Sequence, residues 1–508
     1  MGELCSDKVG FIQTCISELI IAYFIYSWIA FVKMAKEKYL KLNLGCGWRH
    51  FEGWLNVDRQ ELCDPDMQVD LEECPWPWDD NSVSDVRLIN SLEHMGQDVQ
   101  TFTSIMKELY RVCRHGAHVH IVSAYPRHDN FVNDPSACRA VTVGTMQYFD
   151  KNINELWKKS GASNTLLALT NDVDFRIVNF KLALDEKFTK LAVARKWSNA
   201  DVKNNIELYN NSIVSSEIHL IVVKDPEDKG RFALATPFNI PSYLMAVHPD
   251  LNLDREVSGS IAARGQWQPA RSTIFTKIVR KMAEGKKRLN VMIVGATIGW
   301  FPVLAAKAAE NVYVDCYEPL PANAELLHRN IDLNQLAERV SVQEGALSNE
   351  QGTVKLYVDK QNLAMSALAK YKDELEPLDV PCDSLENVFK GKQLARLPEI
   401  FMLDVQGCEQ KIFEGAQKIF DRGWRPVVFA EVFPSKLAAF GSKPDFVAKL
   451  EELKYQIYAV SAKGLNLSSV DSAQVMKFYQ EMVKPKNKDR YMSLLCVPEG
   501  VDIKALIA

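Results

Sequence analysis

Gly295 and Gly299 bracket a tight turn directly after the apolar run Leu289–Val294, and Glu318 closes the next run, Val312–Tyr317. Glycines in such a turn let a ligand come close to the backbone. An acid at the end of the second strand can accept hydrogen bonds from both ribose hydroxyls of a nucleoside cofactor. Further along, Asp404 follows the run Ile400–Leu403 and Glu431 ends the run Val427–Glu431. The first half repeats the order. Gly45-Cys46-Gly47 follows Tyr39–Leu44, Asp58 follows Leu55–Val57, and Asp70 with Leu71 comes next. His94 lies shortly after the run Val83–Ile89, while His128 and Asp129 lie just past His118–Ser123. Open α/β sheets bind ligands at the carboxyl ends of their strands, so residues at these positions converge on a crevice. A lone glycine turn or strand-end acid signals little. The ordered set, found twice, points to two cofactor-binding units.

The elements that must hold these groups alternate strand and helix, which makes the fold class α/β. In the second half an amphipathic helix over Arg271–Ala283 precedes the central strand, and a helix over Phe301–Ala309 follows the glycine turn, with Pro302 tolerated in its first turn. Helices are also expected over Ala322–Asn334 and Cys408–Phe420, and strands over Val340–Val342, Val354–Val358, Tyr455–Val460 and Met492–Cys496. In the first half a helix over Val99–Val112 leads through a turn at Arg114–Gly116 to the strand His118–Ser123. Phe175–Leu184 and Glu217–Val223 form a closing antiparallel pair.

With 508 residues the chain is long enough for two or three domains. The charged, turn-forming stretch Asp225–Gly230 divides them. The expected organisation is an apolar N-terminal helix over 1–38, a domain over 39–228, a linker over 229–253 and a second domain over 254–508. A net charge of −5 disfavours nucleic acid as a partner. The 11 cysteines form no CxxC pair, so a reducing, cytoplasmic setting is expected, and neither zinc spacing nor any other metal site is read. In the apolar stretch 9–32 the uncharged part, Leu19–Val32, is too short to span a bilayer. A packing helix is the reading. Membrane contact, flanked by Lys33, Lys36 and Lys38, is the alternative. No basic leader or small-residue cleavage site marks a secretory signal.

Residues 254–500 resemble the FkbM-type S-adenosylmethionine-dependent methyltransferases. The likeness rests on EVSGSIAARGQWQP, IVGATIGWF, YEPLPANAELLHRNIDLN, EGALSNEQGTVKLYV, VPCDSL, FMLDVQGCEQKIFEGA and VVFAEV. It implies that Gly295, Ala296 and Gly299 pass under the methionine part of the cofactor, that Glu318 with Pro319 holds the ribose, and that Glu344, Gly345 and Ala346 lie beside adenine. It places Asp404 near the sulfonium and the acceptor. Two departures stand out. Ile293-Val294 occupies the place where the family usually has an acid, and Asp404-Val405-Gln406-Gly407 replaces the usual Asp-x-Glu-Gly.

Residues 39–225 resemble another class I methyltransferase group, encoded beside polysaccharide genes, through LNLGCG, GWLNVD, VDLEE, DNSVSDV and SLEH. By that likeness Gly45, Cys46 and Gly47 line the cofactor, Asp58 binds ribose, Asp70 and Leu71 flank adenine, and His94 lies near the methyl donor. In NDPSACRAVT, Asp134 and Arg139 match the group's Asp-Pro-x-His-x-Arg stretch, with Cys138 where histidine is usual. The two resemblances imply two doubly wound, Rossmann-like domains, each a mostly parallel seven-stranded sheet with an antiparallel closing strand.

Methyl transfer to a hydroxyl needs alignment, exclusion of water and a base for the acceptor proton. Asp404 is the first candidate base and Glu431 the second; in the first half His94, His128 and Asp129 are candidates. Base N-methylation is disfavoured, because Asp404 is followed by VQG and not by a Pro-Pro-aromatic loop. The expectation is a tandem S-adenosylmethionine-dependent O-methyltransferase acting on a saccharide or glycoconjugate in polysaccharide biosynthesis. The alternative is one active domain beside a binding module. Homo-oligomer formation is a further expectation.

Overall fold

Short apolar runs ended by glycine or acid turns become the central strands of two separate sheets. The structure is a computed structural model and describes residues 39–225, 231–237, 240–461, 466–483 and 490–507. The expected N-terminal helix over 1–38, with its apolar stretch 9–32, lies outside the described residues. Among the described residues no helix is long and apolar enough to cross a membrane. The chain divides into two compact units, Met1–Asp228 and Lys229–Ala508.

In the first unit the strands are β1 (Leu40–Leu44), β2 (Leu55–Asp58), β3 (Met67–Gln68), β4 (Val83–Ile89), β5 (Cys113–Ala124), β6 (Phe175–Leu184) and β7 (Ile213–Val222). They form one sheet in the order β3-β2-β1-β4-β5-β7-β6. β7 runs antiparallel to both neighbours and the other strands run parallel to one another. The order reverses between β1 and β4, which opens a crevice at their carboxyl ends. Helix Val99–Val112 connects β4 to β5 and buries Phe102, Ile105, Met106, Leu109 and Val112 on one stripe, capped by Asp98. β5 begins earlier than expected: Arg114–Gly116 belongs to the strand. Among the described residues the connections from β1 to β2 and from β2 to β3 contain no α-helix, only the three-residue turn Glu61–Cys63. One sheet face packs on Phe102, Ile105 and Met106 through Val86, Leu88, Val119, Ile121, Ile218 and Leu220. The opposite face carries Arg87, His118, His120, Glu217 and His219, which alternate with those core positions.

The second unit opens with β8 (Arg231–Ala235) and β9 (Tyr243–Val247), an antiparallel hairpin. Within the stretch 229–253, expected as a linker, residues 231–235 and 243–247 are therefore strands of the second unit. Every residue of β9 is buried, and Ala233, Tyr243, Met245 and Val247 belong to the unit's core. The buried Asn330 side chain clamps the hairpin: its Oδ1 accepts from Ala246 N (2.6 Å), and its Nδ2 donates to the carbonyls of Ala246 (2.9 Å) and Ile298 (2.7 Å).

The remaining strands are β10 (Leu289–Val294), β11 (Val312–Tyr317), β12 (Val340–Gln343), β13 (Ala346–Ser348), β14 (Gly352–Val358), β15 (Glu376–Ser384), β16 (Ile400–Leu403), β17 (Val427–Val432), β18 (Tyr455–Val460), β19 (Leu467–Ser469) and β20 (Met492–Pro498). The main sheet runs β12-β11-β10-β16-β17-β20-β18-β19. It repeats the first unit's order and adds β19 as an eighth strand, so the seven-stranded expectation is one short. β13, β15 and β14 form a separate small sheet. The helix expected over Cys408–Phe420 is two, Glu409–Glu414 and Gln417–Asp421. The break falls beside Gly415, where a Cβ would lie 2.4 Å from Ser348 O. Helix Pro269–Ala283 is buried nearly all round through its first half and is not amphipathic there.

Gly265, with φ +67°, ends helix Val257–Arg264, and a Cβ on it would lie 2.5 Å from Thr236 Oγ1 and 2.7 Å from Leu234 O in the hairpin. Gly265→Ala is expected to lower stability by about 1–3 kcal/mol through left-handed strain and displacement of the hairpin. A thermal unfolding midpoint equal to that of the unaltered chain would refute the hairpin's structural role.

Candidate active site

The turn after β10 is held against the end of β11. Gly295 N and Ala296 N both donate to Tyr317 O, at 2.9 and 3.0 Å. Gly295 has φ +81°, and a Cβ there would lie 1.9 Å from Asp404 O, so only glycine fits. Gly299, at φ +94°, faces Leu327 and packs two elements together, away from the cavities described below. Glu318 is buried. It accepts from Thr297 N (2.8 Å), Leu320 N (3.0 Å) and Asn323 Nδ2 (3.3 Å). Burial pushes its carboxyl up to about 7.

Gly295, Glu318, Pro319, Gly345, Ala346 and Asp404 line an open cavity of about 530 Å³ with its open mouth included, and Leu356, Leu363 and Leu368 form its apolar wall. Glu344 does not join them. Its side chain is exposed and pairs with His328 at 3.1 Å. A second open cavity, also about 530 Å³ with its mouth included, is lined by Ala296, Trp267, Gln268, Trp300, Glu431, Phe433 and Tyr491. The two cavities share Gly295, Thr297, Ala364, Asp404 and Gln406.

Asp404 sits at that junction within a charged cluster. Arg271, fully buried, reaches Asp404 Oδ2 (3.2 Å) and Glu431 Oε1 (2.6 Å) through one guanidinium nitrogen. Gln268 Nε2 and Ser493 Oγ also donate to Glu431 Oε1, at 3.3 and 3.1 Å. Burial, then the neighbouring Asp404 charge, pushes the Glu431 carboxyl up to about 7, with Arg271 pulling against both. Gln406 occupies the position where a carboxylate was expected. Its Nε2 donates to Asp404 Oδ1 (3.1 Å), and its Oε1 accepts from Lys436 Nζ (2.9 Å). Burial pushes that ammonium down to about 7. Sequence reasoning missed Gln268, Arg271, Lys436 and Tyr491. Arg271 left a signal: it lies three and four residues before Ile274 and Phe275, a charge on the apolar face of its helix.

The first unit builds the same turn. Cys46 N donates to Val57 O (2.9 Å), and Gly47 N donates to Asp58 Oδ2 (2.9 Å), as Thr297 N does to Glu318. Gly45 has φ +63°, and a Cβ there would lie 2.5 Å from Ser91 Cβ. The Cys46 thiol is pushed up to about 12, mainly by burial. Asp70 Oδ1 accepts from Glu72 N (3.0 Å), and the carbonyl of buried Leu71 accepts from the Trp76 indole (3.0 Å). Directly after β4 comes Asn90, where the second unit has Asp404 directly after β16. His94 Nδ1 is 3.1 Å from Ser136 Oγ, which donates to Asp134 (2.6 Å). His128 is a cap: its Nδ1 accepts from Asn130 N (3.1 Å) and its Nε2 lies 3.6 Å from Asp185, so both ring nitrogens face the loop's own partners.

Residues 294–457 match the methyltransferase FkbM domain. The second unit carries that domain. No curated protein matches the chain. Among solved structures, the chain is similar to a SAM-dependent methyltransferase from Archaeoglobus fulgidus. Identity is 21%, the match covers 40% of this chain and 93% of the other, and the TM-score is 0.27. A T. thermophilus 16S rRNA methyltransferase in complex with AdoMet and guanosine is 12% identical over 86% of this chain and 79% of its own, with a TM-score of 0.26.

S-adenosylmethionine is the cofactor of the FkbM domain, and the residues present fit it. A buried carboxylate at Glu318 offers acceptors for ribose hydroxyls, the Gly295 turn leaves a cradle that a Cβ would fill, and leucines wall the remaining space.

Glu409 lies behind this site. It is fully buried, and neither carboxyl oxygen has a well-formed hydrogen bond. Burial pushes its carboxyl up to about 8. Between the ordinary glutamate range and that value the unfolded chain is ionised while the folded chain keeps the proton, so stability falls as pH rises. Glu409→Gln removes this slope. Urea unfolding is expected to show the variant gaining on the parent by up to roughly 1.4 kcal/mol per pH unit across the window. Parallel stability curves from pH 5 to 8 would contradict the assignment.

Proposed function

We propose that the FkbM domain methylates a hydroxyl of a saccharide or glycosylated acceptor. The observation that carries this reading is the meeting of two cavities at Asp404. S-adenosylmethionine supplies an already activated methyl group on its sulfonium, so the chain's task is alignment, exclusion of water and removal of the acceptor proton. Glu318 and the Gly295 turn hold the cofactor in the first cavity. Trp267, Trp300, Phe433 and Tyr491 offer apolar surfaces in the second, with Gln268 and Glu431 as polar groups. A sugar ring presents C–H faces and hydroxyl edges and suits such a lining. Asp404 accepts the hydroxyl proton at the junction, while Arg271 fixes its carboxylate and Glu431 sets the charge that Arg271 sees.

Asp404→Asn is expected to lower kcat by about 10²–10⁴-fold while S-adenosylmethionine binding, read by calorimetry, is retained. Activity undiminished in that variant would end the reading. Glu431 is protonated below about 7 and ionised above it, so turnover is expected to rise with pH through that value. Glu431→Gln should flatten the rise, and an unchanged pH profile would remove Glu431 from the mechanism.

A second reading, in which the first unit binds without catalysing, is supported by Asn90 in the place of Asp404. Calorimetric titration of the full chain separates the cases. Two cofactor sites, one lost in Glu318→Ala and one in Asp58→Ala, fit a tandem enzyme. A single site lost in Glu318→Ala leaves the first unit as a partner module.

A further inference from the structure

The polar face of the first unit's sheet brings three imidazoles and a carboxylate together. His120 and His219 are directly opposite each other on β5 and β7, and Glu217 precedes His219 by two residues on the same face. His120 Nε2 and His219 Nε2 lie 3.0 and 3.1 Å from Glu217 Oε1, and the three donor atoms fall within 4.8 Å of one another. Behind them His118 Nε2 is 3.0 Å from His219 Nδ1. The rings of His120 and His219 stack with centroids 4.4 Å apart, and those of His118 and His219 at 5.2 Å. We propose that His120, Glu217 and His219 bind a divalent first-row transition ion of the zinc class, with His118 as the partner that orients His219.

Two nitrogens and one carboxylate oxygen on a rigid antiparallel pair form a donor set suited to zinc and its neighbours, and unsuited to magnesium. Burial lowers all three imidazoles and so favours the neutral form, the one that binds metal. Glu217 and His120 are partly exposed, giving the ion a way in. Arg87 and Lys181 are the cations that bear on the cluster, and the Arg87 guanidinium is turned onto the rings of Phe51 and Trp54, 4.2 Å from each centroid.

Hydrogen-bond polarity gives the site a signature. A carboxylate only accepts, so without an ion both His120 and His219 donate from Nε2, which makes His219 Nδ1 an acceptor and His118 Nε2 its donor. An ion needs those Nε2 lone pairs. The proton of His219 then sits on Nδ1 and is donated to His118 Nε2, reversing that bond, and each ring keeps one proton. The site lies four residues before the end of β5, about 13 Å from the crevice at the strand ends, so it is separate from the cofactor position.

The test is Co2+ titration of the metal-stripped full chain. One equivalent is expected to give visible d–d bands without a near-ultraviolet thiolate band. His120→Gln or His219→Gln should weaken binding at least tenfold, and His118→Phe by about 10–100-fold with the band shape kept. Far-UV circular dichroism checks that each variant folds. Zn2+ should also raise the thermal midpoint of the unaltered chain, a readout that needs no variant. Absence of d–d bands, a thiolate band, or equal Co2+ affinity in a folded His120→Gln chain would overturn the proposal.

Discussion

One buried guanidinium decides what the second unit's site can be. Asp404 and Glu431 lie at the ends of neighbouring parallel strands and line the same cavity. Two carboxylates there would repel each other and lose their hydration. Arg271 lies against both and neutralises one charge's worth of the pair. The helix that carries it is buried nearly all round at that level, and Arg271 is itself buried. Removing Arg271 would leave the two carboxylates uncompensated, at a cost of about 3–5 kcal/mol. The rest of the site follows from this fixed point, because Asp404 is held at the place where both cavities open.

The two units use one device to different ends. In each, a glycine turn after the first strand presents an N–H to the acid after the second, Gly47 to Asp58 and Thr297 to Glu318. That contact ties the turn after the first strand to the end of the second in both units. The units part company after the fourth strand of each main sheet. The second places a carboxylate after its fourth strand in the sheet and surrounds it with Arg271, Gln406 and Lys436. The first places Asn90 there and leaves His94 tied to Ser136.

Much of this was legible in the sequence, for reasons that can be named. Val99–Val112, Val312–Tyr317, Ile400–Leu403 and Tyr455–Val460 have the bounds their patterns predict, because each is a clean apolar stripe or run between turn residues. β15 was hidden by Pro377 and Pro381, which read against a strand. The hairpin was hidden because two five-residue apolar runs beside a charged boundary resemble a tether. Its burial depends on Asn330, some ninety residues on. Glu344 was misplaced because strand-end position gives no side-chain direction, and its exposed partner His328 draws it outward. The His120–Glu217–His219 cluster is invisible to spacing rules, since its members meet across an antiparallel pair whose register the sequence does not state.

Asn330 ties Ile298, in the turn after β10, to Ala246, in the hairpin. The hairpin lies upstream of residues 294–457, the part matching the FkbM domain. The loop's stiffness is thus borrowed from chain outside the recognised boundary. A fragment cut at that boundary would keep every residue that lines the first cavity and lose the hairpin that Asn330 clamps, so the structural unit is larger than its signature.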